Sequence, residues 1–376
     1  STNNSTILYI PFLFSLSEFI RSVFFSVVSF GDGGSIGPYW NFGSFGFATM
    51  NTPLKYASRV VGLYGTTLLV IIIAIVLFQI IHKRYRYTPL LLVPLVLSLV
   101  GWSLYRQSNG TDLKVATVSV QGEVEDGYQK DLSRKITDVS NLDLLVLPEY
   151  SYYFVDSNGK RTDQKIPANV ALTVDSSTKR EADEVKNAVS YYNSQSRLLK
   201  DYEKRFLIPG GEYIPYIYQV ILFYSGNTTL INQFHEKHAI NQSLLTEQSF
   251  EYAGVRYGSL ACSGAIAPSF YGSLTKEGAQ VLTNSASIST LGVSPLYYKQ
   301  ASQMSSFIAV SNARPFVQSA RGGSSYILTK DGSVVKTIQA SSQSELTSAI
   351  VTTNKKKTPS SQLGEWTVWL SFVAIL

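Results

Sequence analysis

The sequence predicts an α/β domain attached to a set of transmembrane helices. Three observations carry this. Charged residues make up only 15% of the 376 residues and apolar residues 45%, whereas a soluble domain usually carries about 25% charge. Val60 to Ile81 holds no charge and is rich in Leu, Ile and Val, and a membrane span needs about 20 such residues. From Leu113 onward, short β-patterned runs alternate with helical stretches, the pattern of stacked α and β layers.

Composition narrows the function classes. The net charge of +6 suits an anionic membrane surface as well as nucleic acid. No nucleic-acid motif and no internal repeat is present, so the membrane is the expected partner. Cys262 is the one cysteine, which excludes an internal disulfide and a multi-cysteine metal site. The histidines are His82, His235 and His238. The first is distant in sequence, so no zinc centre and no cofactor is expected.

In chain order, Leu8 to Phe30 is apolar but contains Glu18 and Arg21. A charge inside a span is costly unless it faces a partner or an aqueous cavity. Either a helix-packed ion pair or part of a lipid-facing cavity is expected there. Phe30 to Leu54, rich in Gly and aromatics, reads as an extracytoplasmic loop at the interface. Val60 to Ile81 is a span, and Tyr87 to Tyr105 is a second uncharged run. Between them the basic loop His82 to Arg86 belongs on the cytoplasmic side. The chain after Tyr105 then lies outside the cytoplasm. Lys355–Lys357 would lie outside as well, and the final apolar stretch Glu365 to Leu376 is too short to span.

In the remaining sequence, Leu113–Val120 and Leu142–Leu147 read as strands, the second a buried apolar run. Lys130–Val139 reads as a short helix and Val185–Leu199 as strand or hairpin. Phe250–Ala261 reads as a hairpin turning at Ala253-Gly254, and Ala279–Thr283 as a buried strand. Leu296–Ala313 has helical spacing. Tyr326–Ile338 reads as a hairpin with Asp331-Gly332 at its turn. Tyr216–Tyr224 fits a core helix or strand.

Three places hold chemistry. Glu149 follows the buried strand at Leu142–Leu147, where an apolar setting raises a carboxyl pKa and favours a base; solvated loop glutamates are the commoner case. Lys204 and Glu212 flank the apolar run Phe206–Ile208 and the turn Pro209-Gly210-Gly211; a plain surface pair is the commoner case there. Cys262 ends a strand, where a packing role is commoner than a nucleophilic one.

Tyr202 to Pro215 (YEKRFLIPGGEYIP) resembles the Y-x-K-R-x-L-V-P-F-G-E-Y-V-P signature of bacterial apolipoprotein N-acyltransferases, members of the nitrilase (carbon–nitrogen hydrolase) superfamily. Pro148-Glu149 resembles that superfamily's P-E motif. Gly258 to Gly264 resembles its G-x-x-I-C-Y-E motif, and Pro11 to Arg21 and Arg314-Pro315 resemble two further segments. The resemblance implies a nitrilase-like αββα sandwich. It also implies Glu149 as general base, Lys204 beside the oxyanion and keeping the thiol pKa low, Cys262 as nucleophile, and Glu212 supporting the lysine. Ser263 and Gly264 depart from the motif's Tyr and Glu. Thr283 to Ile288 lacks an Asp and a Trp, and the segment between Gln121 and Leu142 lacks another Trp. The expected organisation is a partial transmembrane domain over 1–108, an extracytoplasmic nitrilase-like domain over 109–345, and a linker with the start of a closing helix over 346–376. Both ends look truncated relative to the family.

The implied function is transfer of a fatty acyl group from a phospholipid, through a thioester on Cys262, to the N-terminal amine of a diacylglyceryl-cysteine lipoprotein. The protein would be a multi-pass monomer of the cell (inner) membrane. A membrane-anchored amidase and a catalytically impaired lipid- or lipoprotein-binding relative are the alternatives.

Overall fold

The computed structural model describes residues 6–107, 110–120, 128–156, 158–181, 184–237, 240, 248–288, 294–339 and 344–376. Its first part contains α1 (Ile10–Val28), α2 (Ser58–Ile81) and α3 (Leu92–Leu104). With the turns that lead into them, three helices are long and apolar enough to cross a membrane: Ile7–Val28, Pro53–Ile81 and Tyr85–Leu104. On α1 the buried residues are Pro11, Ser15, Glu18, Ser22 and Ser26, one per turn, while Leu13, Ile20, Phe24 and Val27 are exposed. The polar stripe faces protein and the apolar side faces outward, the reverse of a helix on a soluble core.

Glu18 accepts hydrogen bonds from Phe45 N (2.9 Å) and Thr67 Oγ1 (2.6 Å), and Arg21 donates to Ser44 Oγ. The ion pair considered for these two residues is therefore replaced by separate polar anchors that tie α1 to the next loop. That loop is more than an interfacial strap. Its Trp40, Phe47 and Met50 are buried in one cluster with Phe270, Leu274, Phe307 and Ile308 of the α/β part.

The α/β part has twelve strands among the described residues. β1 (Asp112–Val120), β2 (Leu142–Glu149) and β3 (Val170–Glu181) run parallel, and β4 (Glu184–Asn193) and β5 (Leu198–Glu203) follow antiparallel. The other half has the hairpin β6 (Phe250–Tyr252) and β7 (Val255–Ala261), then β8 (Val281–Ser287) and β9 (Phe316–Arg321) in parallel. β10 (Ser325–Leu328) and β11 (Val334–Ile338) extend β9, and β12 (Glu345–Thr352) pairs antiparallel with β1.

Among the described residues, the halves meet edge to edge where Ser119 and Val120 of β1 pair with Ala320 and Arg321 of β9. Elsewhere they stack face to face. Val115, Leu144, Val146, Leu172 and Val174 of one half share a buried cluster with Tyr257, Val281, Val317 and Ile327 of the other. The remaining α-helices among the described residues are α4 (Tyr128–Thr137), α5 (Tyr216–Tyr224), α6 (Thr228–Lys237), α7 (Pro268–Glu277), α8 (Pro295–Asn312), α9 (Pro359–Leu363) and α10 (Trp366–Ile375). Leu132 and Ile136 of α4 cover the outer face of the first half. Phe270 and Leu274 of α7, with Phe307 and Ile308 of α8, cover the second. The expected αββα layering is present, with its two sheets continuous at one corner. The stretch from 346 onward, expected as a linker, contains most of β12 and so completes the sheet.

Two buried arginines join the parts. Arg59 of α2 donates to Val310 O, Gly101 O and Lys330 O and pairs with Asp331 at 2.6 Å. Arg314 donates to the carbonyls of Ala279, Asn312, Ala313 and Lys356. Arg59 sits just before the apolar run of α2, and Arg314 just after the end of α8. Each satisfies carbonyls that helix ends and strand starts would otherwise bury unpaired.

Candidate active site

Glu149 is the last residue of β2, and the backbone turns sharply after it. Tyr150 and Tyr152 both adopt positive φ (57° and 53°), a costly conformation for bulky residues. The turn is pinned by Tyr150 N on Ser176 O and by Ser151 Oγ, which donates to Asp175 Oδ1 at 2.8 Å. Lys204 follows β5, its N–H on Asn187 O. Gly210, at φ 77°, lets the chain reverse, and this carries Glu212 back beneath Ile208. Glu212 Oε2 accepts from Ile208 N at 2.8 Å, which fixes the carboxylate. Cys262 stands directly after β7 at φ 39°, opening the short 3-10 turn Cys262–Ile266.

These four side chains converge. Lys204 Nζ donates to Glu149 Oε1 at 3.1 Å and to Glu212 Oε1 at 2.9 Å. Cys262 lies near enough to the Glu149 carboxyl for each to shift the other's pKa, and its Sγ donates to Ser287 O at 3.4 Å. Glu149, Lys204 and Glu212 are 2%, 6% and 7% exposed, and Cys262 is partly exposed. The adjoining space, lined by Tyr202, Phe206, Leu260 and Phe270, amounts to about 20 Å³, room for about one water.

Burial raises the Glu149 carboxyl pKa, with Lys204 opposing and Glu212 reinforcing. Burial works against the Lys204 charge too. The two carboxylates more than compensate and hold its pKa well above the ordinary lysine value. Burial and the Glu149 charge push the Cys262 thiol far up. This corrects the expectation that Lys204 keeps the thiol acidic: Lys204 does pull it down, but desolvation wins. The resting site therefore holds a neutral thiol close to the Glu149 carboxyl, and an ammonium that two carboxylates keep charged.

Asn187 was missed by sequence reading. Its Nδ2 donates to Glu212 Oε1 (2.8 Å) and Tyr150 OH (2.6 Å), and its Oδ1 accepts from Thr178 Oγ1. It thus links the turn after Glu149 to the Lys204–Glu212 pair. Nothing in its local sequence marks it, because the link exists only once β4 lies between β3 and β5.

The motif departures have local reasons. A Cβ on Gly264 would lie 2.6 Å from Leu260 Cβ, so leucine packing occupies the space that a side chain at 264 would need. Ser263 Oγ donates to Phe206 O, tying the cysteine turn to the apolar run after Lys204. Asn284 bridges Cys262 O (3.4 Å) and Gln318 Oε1 (3.3 Å). The segment 121–127 lies outside the described residues, as does His238.

Asp175 yields a pH test. Its Oδ2 has no hydrogen-bond partner, and burial pushes its pKa up to about 7. The unfolded value is about 3.9, so ionisation disfavours the folded state. The associated stability is complete below about pH 4 and is lost as pH rises to about 7, up to about 4 kcal/mol in all. Thermal melts should show Asp175→Asn abolishing most of this loss between about pH 4 and 7.

No family model matches the sequence. A curated relative, the apolipoprotein N-acyltransferase of Geobacter metallireducens (strain ATCC 53774 / DSM 7210 / GS-15), is 24% identical over 324 residues, covering 77% of this chain. The chain is similar to an apolipoprotein N-acyltransferase. It spans 60% of that relative's length. Solved structures that resemble it belong to the nitrilase superfamily. A carbon-nitrogen hydrolase from Helicobacter pylori G27 aligns with a TM-score of 0.47 at 11% identity, over 70% of this chain and 95% of its own. A mutant of the Nesterenkonia AN1 amidase aligns with a TM-score of 0.48 at 12% identity, over 70% and 98%. A Saccharomyces cerevisiae member of branch 10 of the superfamily gives 0.46 at 13%, over 63% and 89%.

Proposed function

We propose that this protein is a membrane-embedded N-acyltransferase that moves a fatty acyl group from a phospholipid, through a thioester on Cys262, to the terminal amine of a diacylglyceryl-cysteine lipoprotein. The observation that carries the reading is the convergence of one thiol, one ammonium and two carboxylates at one largely buried place. The resemblance to an apolipoprotein N-acyltransferase supplies the substrate classes.

Glu149, close to the thiol, accepts its proton, and the sulfur attacks the ester carbonyl. Lys204 Nζ stands beside the oxygen that becomes negative. Collapse breaks the ester C–O bond, and the proton on Glu149 goes to the leaving alcohol, a lysophospholipid. In the second half the acceptor amine attacks the thioester, Glu149 takes its proton, and the thiolate leaves and regains a proton from Glu149. Glu212 and Asn187 hold Lys204 and are positioning residues.

The membrane reading assigns the α/β part to the extracytoplasmic side. Three contacts support this arrangement. Tyr213 OH reaches Ser29 O beyond the end of α1, Lys356 Nζ reaches Leu104 O at the end of α3, and Arg59 anchors the start of α2. The exposed loop His82–Arg86 lies at the other end of the spans, where its basic residues belong in the cytoplasm. Helix α5 has no buried residue and presents Ile217, Val220, Ile221 and Phe223 outward, which gives a lipid tail an apolar surface near Glu212.

The test is to incubate the full chain in phospholipid bilayers with a diacylglyceryl-cysteine peptide. The reading expects the N-acylated peptide from the wild type and none from Cys262→Ala. Free fatty acid in place of acylated peptide would indicate the amidase-type reading, and no product at all would contradict the enzyme reading.

A further inference from the structure

The turn that carries Cys262 is held from behind by two buried amides that the chemistry above does not use. We propose that Asn284 and Gln318 are positioning residues for Cys262: a one-way chain of hydrogen bonds through them fixes the carbonyl of Cys262 and so keeps its sulfur close to Glu149. This role presupposes that Cys262 is the reacting thiol.

Both amides sit where apolar side chains are the rule. β8 lies between β7 and β9 and runs parallel to both, and strands of that kind are usually apolar throughout. Asn284 of β8 and Gln318 of β9 are direct partners in the ladder, and both are buried. On the other side of β8, Leu260 pairs with Asn284 and Ala261 with Ser285. β8 continues to Ser287, past the end of β7, and so flanks the cysteine turn. Two bonds join them. Cys262 Sγ donates to Ser287 O, and Asn284 Nδ2 donates to Cys262 O, each at 3.4 Å.

Backbone carbonyls at the ends of the chain of bonds set its direction, because they only accept. Gln318 Nε2 donates to Ser324 O at 3.2 Å, which turns Gln318 Oε1 toward Asn284. Asn284 Nδ2 then donates to that oxygen at 3.3 Å as well as to Cys262 O. Asn284 Oδ1 is left as an acceptor, and Tyr271 OH donates to it at 3.2 Å and to Thr283 O at 3.1 Å. A flip of either amide would set its oxygen against a carbonyl oxygen, so the network has one arrangement.

Cys262 needs such an anchor. Its φ of 39° lies in the left-handed region, which is costly for a residue with a side chain and persists only where the surroundings hold it. The peptide plane after Cys262 is rigid. Fixing its carbonyl therefore fixes the backbone from which the Cβ–Sγ bond leaves. A further tether, Ser263 Oγ on Phe206 O, acts one residue later and leaves the Cys262 carbonyl to Asn284. Without the two amides the strained turn relaxes, and the sulfur leaves both the neighbourhood of Glu149 and its desolvated seat.

The test uses the full chain and reads two reactions of the same sulfur. One is single-turnover thioester formation in phospholipid bilayers, followed by intact mass. The other is alkylation by iodoacetamide in detergent without phospholipid. Asn284→Ala should slow thioester formation about tenfold, the scale of one lost hydrogen bond. Alkylation should speed up by a similar factor, because the thiol escapes the setting that keeps it neutral. Gln318→Glu keeps the shape, so it tests the role even where Asn284→Ala does not fold. Its neutral acid can still donate to Ser324 O and accept from Asn284, whereas its anion cannot donate. Compared with the wild type at the same pH, it should approach wild-type rates at about pH 6. It should follow Asn284→Ala once it ionises, at about pH 8–9 for a buried glutamate. Movement of the two rates in opposite directions separates lost positioning from lost stability, which alters neither rate below the melting point. If the wild type forms no thioester, the acyl-transfer reading fails, and alkylation alone decides the role of the amides. Alkylation unchanged in Asn284→Ala and in ionised Gln318→Glu, or a lowered melting temperature as the sole effect, would overturn that role.

Discussion

Lys204→Met should slow thioester formation on Cys262 by about 10³-fold, the scale on which single oxyanion donors act. The methionine fills similar space but removes both bonds, at 3.1 Å to Glu149 and 2.9 Å to Glu212. Two buried carboxylates then face each other without a counter-charge. Like charges in a dry site cannot both ionise, so one of them takes up a proton, and Glu149 loses its capacity to accept the thiol proton. The rate of the variant should therefore recover in part as pH rises, while that of the wild type does not. Breaking the buried pair should also cost about 3–5 kcal/mol of stability. Lys204→Arg is not expected to rescue, because a planar fork cannot take the place of a compact ammonium between two fixed oxygens. Single-turnover acylation followed by intact mass measures the rate. A fall of less than tenfold would remove Lys204 from the chemistry.

Arg314→Met should produce the largest loss of stability with no change in the catalytic groups. Arg314 is fully buried. It donates to Ala279 O, to Asn312 O (3.2 Å), to Ala313 O (3.1 Å) and to Lys356 O (2.8 Å). Those carbonyls belong to the approach to β8, the end of α8 and the segment after β12. Without the guanidinium they stay buried and unpaired, so a loss of about 3–5 kcal/mol is expected. For a domain of this size that lowers the melting temperature by about 10 °C. A variant that melts within 2–3 °C (roughly 1 kcal/mol) of the wild type would mean that water replaces the arginine. Residual thioester formation below the lowered melting point should match that of the wild type.

Much of this site could be read from sequence because its residues sit at element ends that leave strong local marks. Glu149 follows an unbroken apolar run, and parallel strands covered on both faces need such runs. Lys204 and Glu212 bracket a Pro-Gly-Gly turn, and Cys262 closes a hairpin whose turn at Ala253-Gly254 is plain. Other parts left weaker marks. β3 carries Asp175, Ser176 and Ser177, and its place beside β2 is settled by pairing rather than by hydrophobic period. β12 is half-polar because it lies at the edge beyond β1. Helix α7 begins at Pro268 and carries serines and a lysine, which dilute the helical pattern. Asn187 and Arg314 act through backbone carbonyls and distant carboxylates, which sequence spacing does not encode.

The thiol's acidity shows why sequence pattern and electrostatics part company. Opposite charges predict an activated thiolate when only Lys204 is counted. The fold also desolvates the sulfur and sets it near the Glu149 charge, and the balance shifts to a neutral thiol. The resting cysteine should therefore react slowly with small alkylating agents.

The most direct measurement is the intact mass of the full chain after exposure to phospholipid without any acceptor. The expected result is one fatty acyl group per chain on Cys262, released by hydroxylamine, discharged by a lipopeptide amine, and absent from Cys262→Ala and Glu149→Gln. An unmodified wild-type mass under conditions where the chain remains folded, or an adduct that persists in Cys262→Ala, would contradict it.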